Sequence, residues 1–163
     1  MTILRTNLVT TTGDKTILRS TGNVLQSKFI NSITTSQPTT TSTSYIPTGI
    51  SINFTPLQAT SKLYIRFIFN LVYTNTVSDG GCMVKLYRDG AVINSASNSD
   101  NFVYRSTPPG GNAYAPGKII HYVNANTTNP TTFEIYQRSY DGEAAAITGY
   151  WGTNSMMIME IVA

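Results

Sequence analysis

From Val24 onward the chain alternates apolar and polar residues with a period of two, and turn-forming breaks come at the spacing of a β-sandwich. Ile50, Ile52 and Phe54 alternate with Ser51, Asn53 and Thr55, a half-buried strand bracketed by Pro47 and Pro56. Val24 to Ile33 predicts an earlier strand with Leu25, Phe29 and Ile33 on one face, running into a Thr/Ser-rich connection at 34–44. Lys62 to Tyr73 is apolar on both faces: Leu63, Ile65, Phe67, Phe69, Leu71 and Tyr73 on one, Tyr64, Ile68 and Val72 on the other. A strand buried on both faces requires a second layer or a neighbouring subunit.

Cys82 to Arg88, Asp89-Gly90 and Ala91 to Asn94 read as a hairpin, the Asp-Gly pair supplying the positive φ of a tight two-residue turn. The stretch 95–117, with Pro108-Pro109-Gly110-Gly111 and Pro116-Gly117 around the short Phe102-Val103-Tyr104, is expected to be a long surface loop. Further strands are expected at Lys118 to Val123, Thr131 to Tyr140, Ala144 to Trp151 and Ser155 to Val162. In the last, Met157, Met159 and Ile161 share one face, and Met156, Ile158, Glu160 and Val162 the other.

Residues 1 to 23 follow a different pattern. Ile3-Leu4-Arg5-Thr6 recurs as Ile17-Leu18-Arg19-Ser20, with breaks at Gly13-Asp14 and Thr21-Gly22-Asn23. Two short strands or hooks separated by a tight turn fit this segment, which is too small to order itself without a partner surface. The division expected is therefore an extended N-terminal attachment arm over 1–23 and one sandwich domain over 24–163.

About eight strands with no helical window make an all-β fold, and the economical architecture is an antiparallel two-sheet sandwich of jelly-roll type. An immunoglobulin-like sandwich has a similar strand count, but its Cys…Trp…Cys pattern is missing. Composition points the same way: Thr (25), Ser (15) and Asn (14) make up about a third of the 163 residues, while charged residues are only 12%. The surface must be hydroxyl- and amide-rich, not ionic.

Net charge is +3 and is unevenly placed. In residues 1–28, Arg5, Lys15, Arg19 and Lys28 face only Asp14, whereas seven bases meet seven acids in the rest. That distribution lacks the clustered basic stripe of a nucleic-acid binder, and a cationic arm on a neutral body suits docking on an acidic protein surface. The single Cys82 permits no intrachain disulfide, and no run approaches the roughly 18 apolar residues of a membrane span. The start, Met-Thr-Ile-Leu-Arg-Thr-Asn, has no classical export signal, so cytoplasmic synthesis is expected.

Candidate chemistry is sparse. His121 has no His or Cys partner at metal-binding spacing, and no metal or cofactor is expected. Four of the eight carboxylates (Asp14, Asp79, Asp89 and Asp141) adjoin Gly in turns. Glu134 and Asp141 are the nearest approach to a glycosidase pair, and there is no nucleophile elbow, phosphate loop or dinucleotide fingerprint, so no catalytic residues are assigned and no enzyme is expected. The aromatics Tyr150, Trp151, Tyr104 and Tyr114 are candidates for stacking on glycans or for packing at a subunit interface.

Four places carry a resemblance: Gly22-Asn23-Val24-Leu25-Gln26; Thr48-Gly49-Ile50-Ser51-Ile52-Asn53-Phe54-Thr55-Pro56; Ser61-Lys62-Leu63-Tyr64-Ile65; and Met159-Glu160-Ile161. In these the chain resembles a family of bacteriophage virion proteins, common in marine and cyanobacterial phages, described as tail-fibre or structural proteins. The resemblance implies a homotrimer of jelly rolls on the outer surface of the particle, with no catalytic residues. Phe67, Phe69, Met157, Met159 and Ile161 are then the candidate trimer-interface residues, because the two-faced strand and the Met-rich terminal strand carry more apolar surface than one small sandwich needs to bury. Ile3, Leu4, Arg5, Lys15, Ile17, Leu18 and Arg19 are the candidate arm contacts with a major capsid protein or another virion protein. An extended arm of that length spans at most ~80 Å. That reach favours stapling a knob onto a shell, as a capsid decoration or cement protein, over projecting a receptor binder as a short tail fibre or tail-tip protein.

Overall fold

The computed structural model describes residues 9–12, 15–18, 22–32, 39–74, 80–93, 101–105, 112–148 and 154–163. They form β1 (Val9–Thr12), β2 (Lys15–Leu18), β3 (Val24–Ser32), β4 (Ile46–Phe54), β5 (Lys62–Thr74), β6 (Gly80–Arg88), β7 (Ala91–Val92), β8 (Asn101–Arg105), β9 (Asn112–Asn124), β10 (Thr131–Ser139), β11 (Ala145–Thr148) and β12 (Asn154–Ile161). Every pairing is antiparallel, and the described residues contain no helix.

β1 and β2 pair only with each other, Val9 opposite Leu18 and Thr12 opposite Lys15. The partner of Ile17-Leu18 is therefore Val9-Thr10; Ile3, Leu4, Arg5 and Arg19 lie outside the described residues. The remaining strands build two sheets. β11 and β12 follow one another along one edge of β5, opposite Asn70–Tyr73 and Lys62–Ile68, and β7 and β8 share one edge of β6. Each sheet is thus four columns wide, β9, β5, β11/β12, β3 in one and β4, β10, β6, β7/β8 in the other.

Counted in chain order, the eight columns lie as 6-3-8-1 and 2-7-4-5. The pairs 4-5, 3-6, 2-7 and 1-8 are the rungs of one long antiparallel hairpin, and the extra pairs 3-8 and 4-7 come from rolling it up. That is the jelly roll, in which every connection except the 4-5 hairpin crosses between sheets. The Asp89-Gly90 turn of that hairpin has φ of 49° and 81°, as its sequence requires.

Alternation in the sequence becomes inside and outside. Leu63, Ile65, Phe67 and Phe69 of β5 point inward with Ile50, Ile52 and Phe54 of β4, Val84 and Leu86 of β6, Phe133 and Ile135 of β10, and Met156 and Ile158 of β12. The rings of Phe67 and Phe69 stack 4.8 Å apart at the centre. Cys82 belongs to this core, and burial pushes its thiol up to about 12, so it acts as a small hydrophobe. Thr48 Oγ1 donates to the Ile135 carbonyl at 2.7 Å, and Gln137 Oε1 accepts from the Ile147 amide at 2.9 Å, a polar tie from one sheet to the other.

Two expectations are corrected here. Phe67 and Phe69, taken as subunit-interface candidates, are fully enclosed in the chain's own core and offer nothing to a neighbour. Pro116-Gly117 is not loop but the middle of the 13-residue strand β9, which pairs with β5 along its whole length. Proline is tolerated because β9 is an edge column among the described residues. Gly117 lies opposite Phe69, whose ring occupies the space a side chain would need: a Cβ there would sit 2.3 Å from a ring carbon. β4 likewise begins at Ile46 and takes in Pro47, again on an edge column and beside a register shift in β10.

Gly117→Ala is therefore expected to destabilise the fold by about 1–3 kcal/mol through overpacking. Phe69→Leu in the same chain should recover part of that loss. Urea unfolding of the two single variants and the double variant checks the coupling, and additive losses would contradict the contact.

Candidate functional site

One end of the sandwich is closed by a buried carboxylate. In β12, Met156 and Ile158 face the core, and the next inward position is Glu160, completely buried. Its Oε2 accepts from Gln26 Nε2 at 2.7 Å and the Leu57 amide at 2.8 Å, and its Oε1 from the Gln58 amide at 2.9 Å and Ser61 Oγ at 2.6 Å. Gln26 Nε2 also donates to the Thr55 carbonyl at 2.7 Å. Burial works against the charged form, but the bonds from Leu57, Ser61, Gln26 and Gln58 outweigh it and hold the carboxyl below its ordinary value. All four places on which the virion-protein resemblance rests meet at this point, through Gln26, Thr55, Ser61 and Glu160. What they build is a structural lock.

A second carboxylate closes the neighbouring corner. Asp89 accepts from the Thr131 hydroxyl through Oδ2 and from the Thr132 amide through Oδ1 at 2.8 Å, and these bonds lower its pKa. Arg88 lies over the Phe133 ring, 5.5 Å from its centroid, and donates to the carbonyls of Asn124 and Ala125. Segment 1–21 joins the sandwich at this same locked end, where Gly22 N donates to the Val162 carbonyl and Val162 N to the Asn23 carbonyl, both at 2.9 Å.

The outer faces of the two sheets differ in kind. On the β4, β10, β6 sheet, Tyr87 and Tyr136 stack 3.9 Å apart, and Lys85 and Arg138 lie over the Tyr45 ring at 4.6 and 5.3 Å. Ser51, Asn53, Thr132 and Glu134 complete a polar surface.

The outer face of the β9, β5, β12, β3 sheet is apolar, with embedded cations. Strand register sets Ile120, Arg66, Met157 and Phe29 in one row, Tyr122, Tyr64, Met159 and Ser27 in the next, and Asn124, Lys62, Ile161 and Val24 in a third. Val24, Phe29, Ile120 and Tyr122 are 54, 56, 48 and 63% exposed, values unusual for side chains that belong in a core. Among the described residues, Lys62, Arg66 and Lys118 are the charges on this face, and no carboxylate stands on it. Phe29, Arg66, Ile68, Ser155 and Met157 line a hollow of about 160 Å³ in its middle.

Met157, Met159 and Ile161 project from this second face, partly exposed, together with residues that were not among the interface candidates: Phe29, Tyr64, Ile120 and Tyr122. Tyr104 and Tyr114 lie in β8 and β9, where their backbones pair with Gly81 and Val72. Tyr150 and Trp151 fall outside the described residues. Lys15, Ile17 and Leu18 sit in the β1–β2 ribbon. His121 is on the inward-facing row of β9, opposite Ile65, and desolvation lowers its pKa. Asp141 accepts from Ser139 Oγ and from the Glu143 amide within its turn, whereas Glu134 is on the polar outer face. Among the described residues no cluster of three or more His, Cys, Asp or Glu side chains is placed to hold a metal.

Glu160→Gln should cost about 2–4 kcal/mol, since it removes a buried charge to which four donors are committed. Because the folded carboxyl lies below its unfolded value of roughly 4.3, its contribution is complete above that pH and fades as pH falls through the folded pKa. The stability gap between wild type and variant should accordingly narrow below about pH 4. Chemical denaturation at pH 7 and pH 3 measures it, and a gap independent of pH would contradict the role given to the charge.

No family model and no curated protein match the chain. Among solved structures it is similar to that of infectious bursal disease virus Gx strain, with a TM-score of 0.47 and 16% identity over 96% of this chain and 41% of that one. It is also similar to Eiger TNF from S. frugiperda, with a TM-score of 0.34 and 8% identity over 63% and 62% of the two chains. A third likeness is to the C-terminal domain of EclA, a sugar-binding protein, with a TM-score of 0.30 and 10% identity over 90% and 83%. The chain spans about two-fifths of the viral protein's length. These are distant likenesses, and the jelly-roll assignment rests on the strand pairing itself.

Proposed function

We propose that this chain is a structural protein of a bacteriophage virion: a homotrimeric jelly-roll knob that decorates or cements the capsid, held to the major capsid protein by the arm at 1–23. The body at 24–163 is the displayed part. The observation that carries the reading is the way the basic segment joins the sandwich. It enters at the end closed by Glu160 and Asp89, through the Gly22–Val162 and Asn23–Val162 bonds, so a pull on the arm is borne by the most cross-linked part of the fold. The basic excess of residues 1–28 suits an acidic shell surface, and the resemblance at the four signature places supports a virion role. The reading requires no reaction, cofactor, nucleic acid or membrane.

A short tail fibre or tail-tip protein that binds a host glycan is the second reading. The stacked Tyr87–Tyr136 pair on the polar outer face favours it, since paired aromatic rings beside hydrogen-bonding side chains can receive a sugar.

The two readings part on stoichiometry: decoration predicts hundreds of copies per particle, and a fibre tens. Quantitative mass spectrometry of purified virions decides between them. Reversing Arg5, Lys15 and Arg19 to Glu should abolish binding to undecorated shells while the far-ultraviolet circular dichroism of the knob stays unchanged. Undiminished binding by this triple variant would refute the arm's role.

A further inference from the structure

Among the described residues, exposed apolar side chains gather on the outer face of the β9, β5, β12, β3 sheet, and three occupants come into question: the chain's own arm, a two-fold copy, or a copy in a ring. Charge decides among them. Lys62, Arg66 and Lys118 stand among Phe29, Ile120, Tyr122 and Met157, and among the described residues none of the three cations has a hydrogen bond or ion pair. The arm carries its own basic excess, so laying it here would set like charges together. A two-fold contact, face on face, would pair the three cations of one copy with the same three of the other and bring no acid to either.

Apart from these three residues and the buried Glu160, the chain from residue 29 onward holds four bases and six acids, a net charge of −2. The face is therefore complementary to the remaining surface of a second copy and not to itself. Such a contact is heterologous, and a heterologous contact gives a ring when the rotation between copies closes and an open filament when it does not. Size fits as well. Four columns at ~4.8 Å and about eight residues at ~3.3 Å give roughly 500 Å², hence about 1,000 Å² over both partners, the threshold of a specific interface.

We infer that this face seats the next copy of the same chain in a closed, head-to-tail ring, with Phe29, Ile120, Tyr122 and Met157 as the apolar contact and Lys62, Arg66 and Lys118 paired to the neighbour's carboxylates. The number three rests on the proposed function; the choice of face and of a heterologous contact does not. Ring formation buries the exposed apolar rows and gives each unpaired cation a partner. Arg66, at the centre of the face beside the hollow, is the charge most deeply desolvated by it.

Light scattering and native mass spectrometry of the full-length chain at micromolar concentration test the inference. The expected species is a trimer. Ile120→Ser with Tyr122→Ser, and separately Arg66→Glu, should each weaken assembly more than about tenfold, with the β-sheet circular dichroism spectrum retained. Arg66→Lys should retain the ring. A wild-type monomer, a wild-type two-fold dimer, or a ring indifferent to these substitutions would overturn the inference. Shell binding is scored separately: a ring that ignores shells defeats the virion reading and leaves this one, and a monomer that binds shells does the reverse.

Discussion

The structure turns on a single strand that is apolar on both faces. β5 lies inside the four-column sheet, with β9 on one edge and β11 and β12 on the other, and among the described residues there is no helix to shield it. Its inward row, Leu63, Ile65, Phe67 and Phe69, makes the centre of the core. The outward row, with Tyr64 and Ile68 beside Arg66, needs cover that a two-layer sandwich does not supply. A jelly roll has only one interior, and in the inferred ring the second apolar face is covered by another copy of the chain. The sheet's other columns agree: Phe29 of β3, Met157 and Met159 of β12, and Ile120 and Tyr122 of β9 all continue the same surface.

Two carboxylates tie the connections at one end of the sandwich. Glu160 draws the 55–61 connection, the terminal strand and the first strand of the sandwich onto one charge, and Asp89 with Arg88 does the same for the 124–132 connection. Glu160 is enclosed and Asp89 is exposed, and the oxygens of both accept bonds that tie connections together. Both replace the stapling that a disulfide gives to small domains, which this chain with one buried thiol cannot have. Gly22 and Asn23 join the terminal strand there, so in the proposed reading attachment and mechanical closure coincide.

Much of the fold was legible as alternation. Ile50, Ile52 and Phe54 announced β4, the two-faced run announced β5, and Asp89-Gly90 announced its hairpin. Edge columns were harder to see, because Pro47 and Pro116 carry turn signals that only an edge strand neutralises, and Gly117 is explained by the ring of Phe69 on the paired strand, 48 residues earlier in the chain, a contact that neither composition nor period reveals. Which face of β5 was the inner one was open from hydrophobicity alone. The interruption of the Tyr64–Ile68 row by Arg66 was the available clue, and overlooking it put Phe67 and Phe69 at the surface. Glu160 had a signal too: a carboxylate in register with Met156 and Ile158 faces the core and must be met by donors. Phe29 was placed on an apolar face of its strand, but that this face is the outer one was not legible, because the inward positions of the edge column β3, Gln26 and Lys28, are polar and reach across to Thr55 and Asn53.

The most direct measurement is hydroxyl-radical footprinting of the full-length protein under assembling conditions, read at individual side chains. Association through the β9, β5, β12, β3 sheet predicts that Phe29, Tyr122, Met157 and Met159 are protected, while Tyr87 on the opposite sheet and Leu57 at the locked end keep the reactivity of their exposure. Full labelling of Phe29, Tyr122 and the two methionines at concentrations where the protein is assembled would contradict the account.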